Sequence, residues 1–162
     1  MRLKVKKVHP DAVVPEYKSL FASGFDLASV KTVTIAPGFT GLVPTGLAFE
    51  IDDGYQDVVF GNPPSVKIFI ELQIRPRSGL SVTTGLIIGN APGTIDYDYR
   101  GEIYIIVKNV GRFHEIINKG DRIAQGVLNT VIQMPIEVVD ELSDTERGTG
   151  GLGSTGIGGE NG

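Results

Sequence analysis

Two carboxylates stand at alternate positions in Gly93-Thr94-Ile95-Asp96-Tyr97-Asp98-Tyr99-Arg100-Gly101-Glu102, immediately before the apolar run Ile103 to Val107. On an extended strand Asp96 and Asp98 point to one face, and Tyr97 and Tyr99 to the other. An ionised Asp, with an ordinary pKa of about 3.9, accepts a proton from water at neutral pH if a substrate brings that water close. An acidic turn feeding a strand accounts for the same residues.

Guanidinium groups cluster in Arg75-Pro76-Arg77-Ser78-Gly79-Leu80, beside a hydroxyl and a glycine whose bare amide can approach an anion. The planar fork of Arg matches phosphate oxygens. A solvated turn with Gly79 at positive φ is the other reading. Gly120-Asp121-Arg122-Ile123-Ala124-Gln125 reads locally as a turn entering a strand.

The tail Arg147-Gly148-Thr149-Gly150-Gly151-Leu152-Gly153-Ser154-Thr155-Gly156 offers open backbone amides, hydroxyls and one guanidinium. Gly-rich loops cradle phosphates in this way. It is not a Walker loop, because no Lys precedes Ser154 and no helix-forming segment follows. A flexible linker has the same composition.

These residues need a scaffold, and the chain of 162 residues is long enough for one hydrophobic core. Short Val- and Ile-rich runs between Gly, Pro, Asn and Asp punctuation predict an all-β sandwich or barrel with almost no helix. The expected strands are Val30 to Ile35, Thr40 to Phe49, Val66 to Ile74, Leu86 to Ile88, Glu102 to Lys108 and Arg122 to Val131. Val58 to Phe60 and Val66 to Ile70, joined by Gly61-Asn62-Pro63-Pro64-Ser65, predict a protruding hairpin. Residues 147–162 have too little apolar content to pack and are expected to form a mobile arm beyond a core of residues 1–146.

Charge and composition narrow the partners. A net charge of -4 supplies no general field for DNA or RNA, so phosphate binding has to be local. With no Cys and only His9 and His114, a zinc centre is not expected, whereas a hard cation on oxygen ligands is compatible. The start, Met1-Arg2-Leu3-Lys4-Val5-Lys6-Lys7, lacks the apolar run of a signal peptide. No later stretch reaches membrane-spanning length, so no membrane association and a cytoplasmic location are expected.

Taken together and in this order, the segments resemble the five-motif signature of the trimeric dUTPase family. Motif one is similar to Ser23-Gly24-Phe25-Asp26-Leu27, motif two to Pro76-Arg77-Ser78-Gly79-Leu80, and motif three to Gly89-Asn90 through Gly101. Motif four resembles Gly120 to Gln125 and motif five the tail from Arg147 to Gly156. The resemblance implies a jelly-roll-like β-barrel subunit, a homotrimer, and active sites at subunit junctions, each closed by a neighbour's Gly-rich arm.

The resemblance also implies hydrolysis of dUTP to dUMP and pyrophosphate, which limits uracil incorporation into DNA and supplies dUMP for thymidylate synthesis. Asp96 would activate the water that attacks the α-phosphorus in line. Asn90 and the hairpin backbone at Gly93, Thr94 and Ile95 would read uracil, with Tyr99 against the deoxyribose and Leu152 over the base. Arg77, Ser78, Gly79, Gln125, Arg147, Gly151, Gly153, Ser154 and Thr155 would hold the phosphates. Mg²⁺ would ride on them, with Asp26 reaching it through water.

The chain departs from the family in two places. Leu152 stands where the family usually has Phe, so the arm is expected to cover uracil without stacking on it, and to bind more weakly. Residues from about 56 to 71 look inserted; a tolerated surface hairpin is the plain expectation, and a contact site for another protein is the alternative. Two other functions are compatible with parts of the sequence. A dCTP deaminase-like enzyme would need a Glu near Ile106, where this chain is aliphatic. A nucleotide-sensing regulatory trimer would not need the full catalytic set.

Overall fold

The computed structural model describes residues 1–59 and 65–151. Its strands are β1 (Arg2–Lys7), β2 (Phe25–Ala28), β3 (Val33–Ile35), β4 (Thr40–Pro44), β5 (Leu47–Asp52), β6 (Tyr55–Val59), β7 (Ser65–Pro76), β8 (Leu86–Ile88), β9 (Gly93–Ile95), β10 (Tyr104–Asn109), β11 (Glu115–Ile117) and β12 (Arg122–Gln133). One short helix, α1 (Ser78–Thr83), interrupts them among the described residues. The fold is all-β and of the jelly-roll kind.

Four sheets enclose one core. β1 pairs β5, β11 pairs β3, and β10 lies between β4 and β8. The largest sheet runs β2-β12-β7-β6, with β9 also paired to β7. Phe25 and Leu27 from β2, Phe49 from β5, Leu72 and Ile74 from β7, and Ile105 and Val107 from β10 all meet inside. Phe25 stacks on Phe49 at 5.8 Å between centroids, joining two sheets. Alternation explains much of this: in β10, Ile105, Val107 and Asn109 turn inward while Tyr104 and Lys108 face out.

The structure revises several expected boundaries. The run Thr40 to Phe49 is two strands, β4 and β5, broken where Gly46 takes φ +67 and donates its N–H to Glu102 Oε1 at 2.8 Å. The expected strand Val30 to Ile35 contracts to β3, because the Val30 N–H instead donates to Pro44 O. β1, β2, β9 and β11 lay outside the expected strands, and α1 occupies a segment expected to be irregular.

The expected hairpin is present as β6 and β7, whose connection at residues 60–64 lies outside the described residues. β7 is one continuous strand flanked by β12 along nearly its whole length. On its other edge two strands lie end to end: β6 pairs Ser65 through Phe69, and β9 pairs Leu72 through Ile74. This arrangement sets the positions of the chemistry-bearing residues.

Candidate functional site

β2, β12 and β7 bring Asp26, Gln125 and Arg75 into one row across the sheet, since Gln125 pairs with both of the others. Directly paired residues in antiparallel strands share a face. Just beyond the end of β7, Arg77 occupies the N-cap position of α1 with extended backbone, φ −92 and ψ 131. Its Nε donates to Asp26 Oδ1 at 2.7 Å, and its Nη1 donates to the Arg122 carbonyl at 2.9 Å.

Arg122 completes the cluster by donating from Nη1 to Asp26 Oδ2 at 2.9 Å. A β-bulge between Arg122 and Ala124 shifts the register there, and Ile123 and Ala124 are both buried. Bulges of this kind re-aim a side chain, and here Arg122 stands over Asp26 rather than in register with the rest of β12. Gln125 is held by donating from Nε2 to Pro76 O at 2.9 Å. Asp26, with its side chain 19% exposed, thus gathers two guanidiniums that can serve a phosphate chain from one edge of the sheet.

Ser78 and Gly79 lie in the first turn of α1, exposed and without a capping side chain. First-turn amides of a helix have no partner within it and can meet an anion. Gly79 is helical rather than at positive φ, which corrects the solvated-turn reading. Space beside it is open: a Cβ built there meets nothing within 4 Å.

Asn90 is exposed in the turn after β8, and Gly93, Thr94 and Ile95 form β9 against Ile74, Gln73 and Leu72. Ala91 and Pro92, joined by a cis peptide bond, face Arg75, Pro76 and Gln125 across a cleft of about 380 Å³. The chain then runs along β7 away from Arg77. Asp96 emerges beyond the Ile95–Leu72 pair, five residues of β7 from Arg77, or roughly 17 Å at ~3.3 Å per residue.

Asp96 opens a turn closed by the Tyr99 N–H donating to the Asp96 carbonyl at 3.1 Å. The extended strand expected to put Asp96 and Asp98 on one face and Tyr97 and Tyr99 on the other is therefore not formed, because β9 stops at Ile95. The Asp96 carboxylate is exposed, with no hydrogen-bond partner among the described residues. Arg100 braces the turn by donating from Nη1 to the carbonyls of Tyr97, at 2.7 Å, and Tyr99, at 3.0 Å.

Tyr99 is 44% exposed and donates its hydroxyl to the Glu102 carbonyl at 3.1 Å. Its ring lies on Gly101 so closely that a methyl there would come within 2.6 Å of Cζ. Glu102 ties the assembly to the fold, accepting from the Gly46 N–H through Oε1 and from the Tyr104 hydroxyl through Oε2. Ile106 pairs with Leu42 on β10, its methyl 3.1 Å from where a Cβ would stand on Gly89. An aliphatic chain there carries no proton.

Arg147 and Gly151 are exposed, and Arg147 Nε donates to Gly150 O at 3.0 Å. Leu152, Gly153, Ser154 and Thr155 lie outside the described residues. Sequence reasoning assigned no role to Arg122; its only signal was its place within the fourth motif. The support given to Tyr99 by Glu102 was likewise missed.

No group of three or more His, Asp or Glu converges among the described residues. Such a donor set does not form a cage, but it fits Mg²⁺ carried on phosphates, since that ion keeps several waters and needs only one or two carboxylates. No helix among the described residues is long and apolar enough to cross a membrane.

Comparison with known proteins adds three findings. A family model described as dUTPase matches residues 64–156. The deoxyuridine 5'-triphosphate nucleotidohydrolase of Nautilia profundicola is 49% identical over 156 residues, covering 96% of this chain and 99% of its own. A solved structure of the Staphylococcus bacteriophage 80alpha dUTPase with dUPNHPP superimposes with a TM-score of 0.80 at 27% identity, covering 96% of this chain and 99% of that one.

Proposed function

Since the chain belongs to the dUTPase family, we propose that it hydrolyses dUTP to dUMP and pyrophosphate, with Asp96 deprotonating the water that attacks the α-phosphorus in line. The observation that carries this reading is the cluster in which Arg77 and Arg122 are held on the Asp26 carboxylate while Gln125, in the same row of the sheet, is held on the Pro76 carbonyl. Phosphoryl chemistry is accelerated mainly by positioning and by charge placed where the transition state carries it. Guanidinium forks and an open carboxylate, brought to one substrate from different copies of the chain, supply both.

In this reading Arg77, Ser78, Gly79 and Gln125 bind the phosphate chain, and Arg147, Gly151, Gly153, Ser154 and Thr155 close over its distal end. Asn90, Gly93, Thr94 and Ile95 recognise uracil, Leu152 covers it, and Tyr99 lies flush against the 2′ carbon, excluding ribose by sterics. Mg²⁺, held through water by Asp26, would neutralise charge on the phosphates. Asp96 needs no covalent intermediate; it takes one proton from water, and pyrophosphate leaves.

The roughly 17 Å along β7 between the Asp96 turn and Arg77 supports a site made from more than one copy, because a single chain keeps base and phosphate grip apart. A homotrimer with shared sites, each closed by a Gly-rich arm of residues 147–162, satisfies this geometry. The test is to incubate the full chain with Mg²⁺ and each deoxynucleoside triphosphate while following pyrophosphate and ammonia. Pyrophosphate from dUTP alone is expected. Ammonia from dCTP would establish a deaminase instead, and neither product would leave a binding protein.

A further inference from the structure

The hairpin β6–β7 does not stand clear of the proposed active site. β6 and β9 lie end to end on the same edge of β7, and only Ile70 and Glu71 separate the last residue paired to β6 from the first paired to β9. The turn Asp96 to Tyr99 leaves β9 into that gap. There it meets the root of the hairpin.

Contact is made by one ring. Tyr55 and Phe69 are a directly paired cross-strand couple at the base of the hairpin, so their rings share a face. Tyr97 packs against both, with centroids 6.3 Å from Tyr55 and 6.2 Å from Phe69, separations normal for interacting aromatics. Gly54, immediately before β6, permits the approach: a Cβ there would stand 3.2 Å from Tyr97 Cε2 and 2.5 Å from Ile51 Cγ2. A cleft of about 290 Å³ is lined jointly by Tyr55, Lys67 and Phe69 of the hairpin and by Asp96, Tyr97 and Asp98 of the turn.

From this juxtaposition we propose that the hairpin is a buttress for the catalytic turn, and that Tyr97 is the positioning residue through which it orients Asp96. The inference rests on Asp96 being the base. The Asp96 carboxylate makes no hydrogen bond or ion pair among the described residues, so its direction follows from the backbone of the turn. Arg100 holds two carbonyls of that backbone from one side. Tyr97, packed against a ring from each of two strands, anchors it as well. A base must keep near-attack geometry toward its water, and that is achieved when neighbouring packing locks the element that carries it.

The test uses the full chain with dUTP and Mg²⁺. Tyr97→Ala is expected to lower kcat by about ten- to a hundredfold with KM within about threefold of native, while Tyr97→Phe retains kcat. Tyr55→Ala and Phe69→Ala, which alter only the hairpin, should give intermediate losses of kcat. Native kcat in Tyr97→Ala overturns the proposal, as does a loss confined to KM. A loss that Phe does not restore also overturns it, because the hydroxyl rather than ring packing would then be responsible. Should Tyr97→Ala fail to fold, the two hairpin variants decide, and native kcat in both sinks the buttress. Asp96→Asn runs alongside: normal turnover there removes the assigned base itself, whereas a dead Asp96→Asn with a fully active Tyr97→Ala removes only the buttress.

Discussion

Asp26 and Asp96 are both carboxylates of the proposed site, yet they are held in opposite ways. Asp26 sits on a strand, 19% exposed, with each oxygen accepting a guanidinium. Asp96 sits on an exposed turn, and no side chain among the described residues hydrogen-bonds its carboxylate. The first has one acceptor site on each oxygen committed to aligning an arginine, and the second has both oxygens open to water. Under the proposed function, grip on the phosphates is organised inside one chain before substrate arrives, while water activation is left to a group that is steered by its backbone.

Three substitutions can break or sharpen that contrast. The largest effect is expected from Asp96→Asn, which keeps the shape and removes the proton acceptor. Turnover should fall by about 10²–10⁴ with dUTP affinity retained, read from kcat and from equilibrium binding of a non-hydrolysable analogue. Near-native turnover would mean that the open carboxylate is not the base.

Arg77→Ala should lower kcat/KM by about 10²–10³, the cost of losing one donor to transition-state charge. It also frees Asp26 Oδ1, so analogue binding should weaken in this variant while it does not in Asp96→Asn. Equal binding by the two variants would erase the division between grip and activation.

A smaller change is expected from Gly101→Ala, which acts on neither carboxylate. Its methyl would overlap the Tyr99 ring and displace it. Preference for dUTP over UTP should fall by about tenfold, measured as the ratio of kcat/KM values, because a misplaced ring no longer fills the space of a 2′ hydroxyl. An unchanged ratio would show that Tyr99 does not set sugar choice.

How far this was legible in the sequence differs between elements for identifiable reasons. Leu86 to Ile88 was read with its true boundaries, being a short apolar run ending at Gly85 and Gly89. β12 was read nearly to its end. α1 was not, since Ser78-Gly79-Leu80-Ser81-Val82-Thr83 carries a glycine and two β-branched residues in six and has weak helix propensity. Its turn is set by Leu80 packing against the core, with the hydroxyls of Thr83 and Thr84 donating locally to the Gly79 and Leu80 carbonyls. β9 was missed because three residues of Gly, Thr and Ile become a strand only where β7 offers an edge.

The sequence by itself determined the all-β class, the family, and the order of the segments that carry chemistry, because periodicity, turn residues and motif strings are written among neighbours in the chain. Which groups touch was decided by tertiary structure alone. Arg122 reaches Asp26 across 96 positions, and only strand register with a bulge brings them together. The same holds for Tyr97 and the β6–β7 hairpin: each is visible as a string, but their contact arises because β6 and β9 share one edge of β7. Contacts between distant segments depend on register, and register is a property of the folded sheet as a whole.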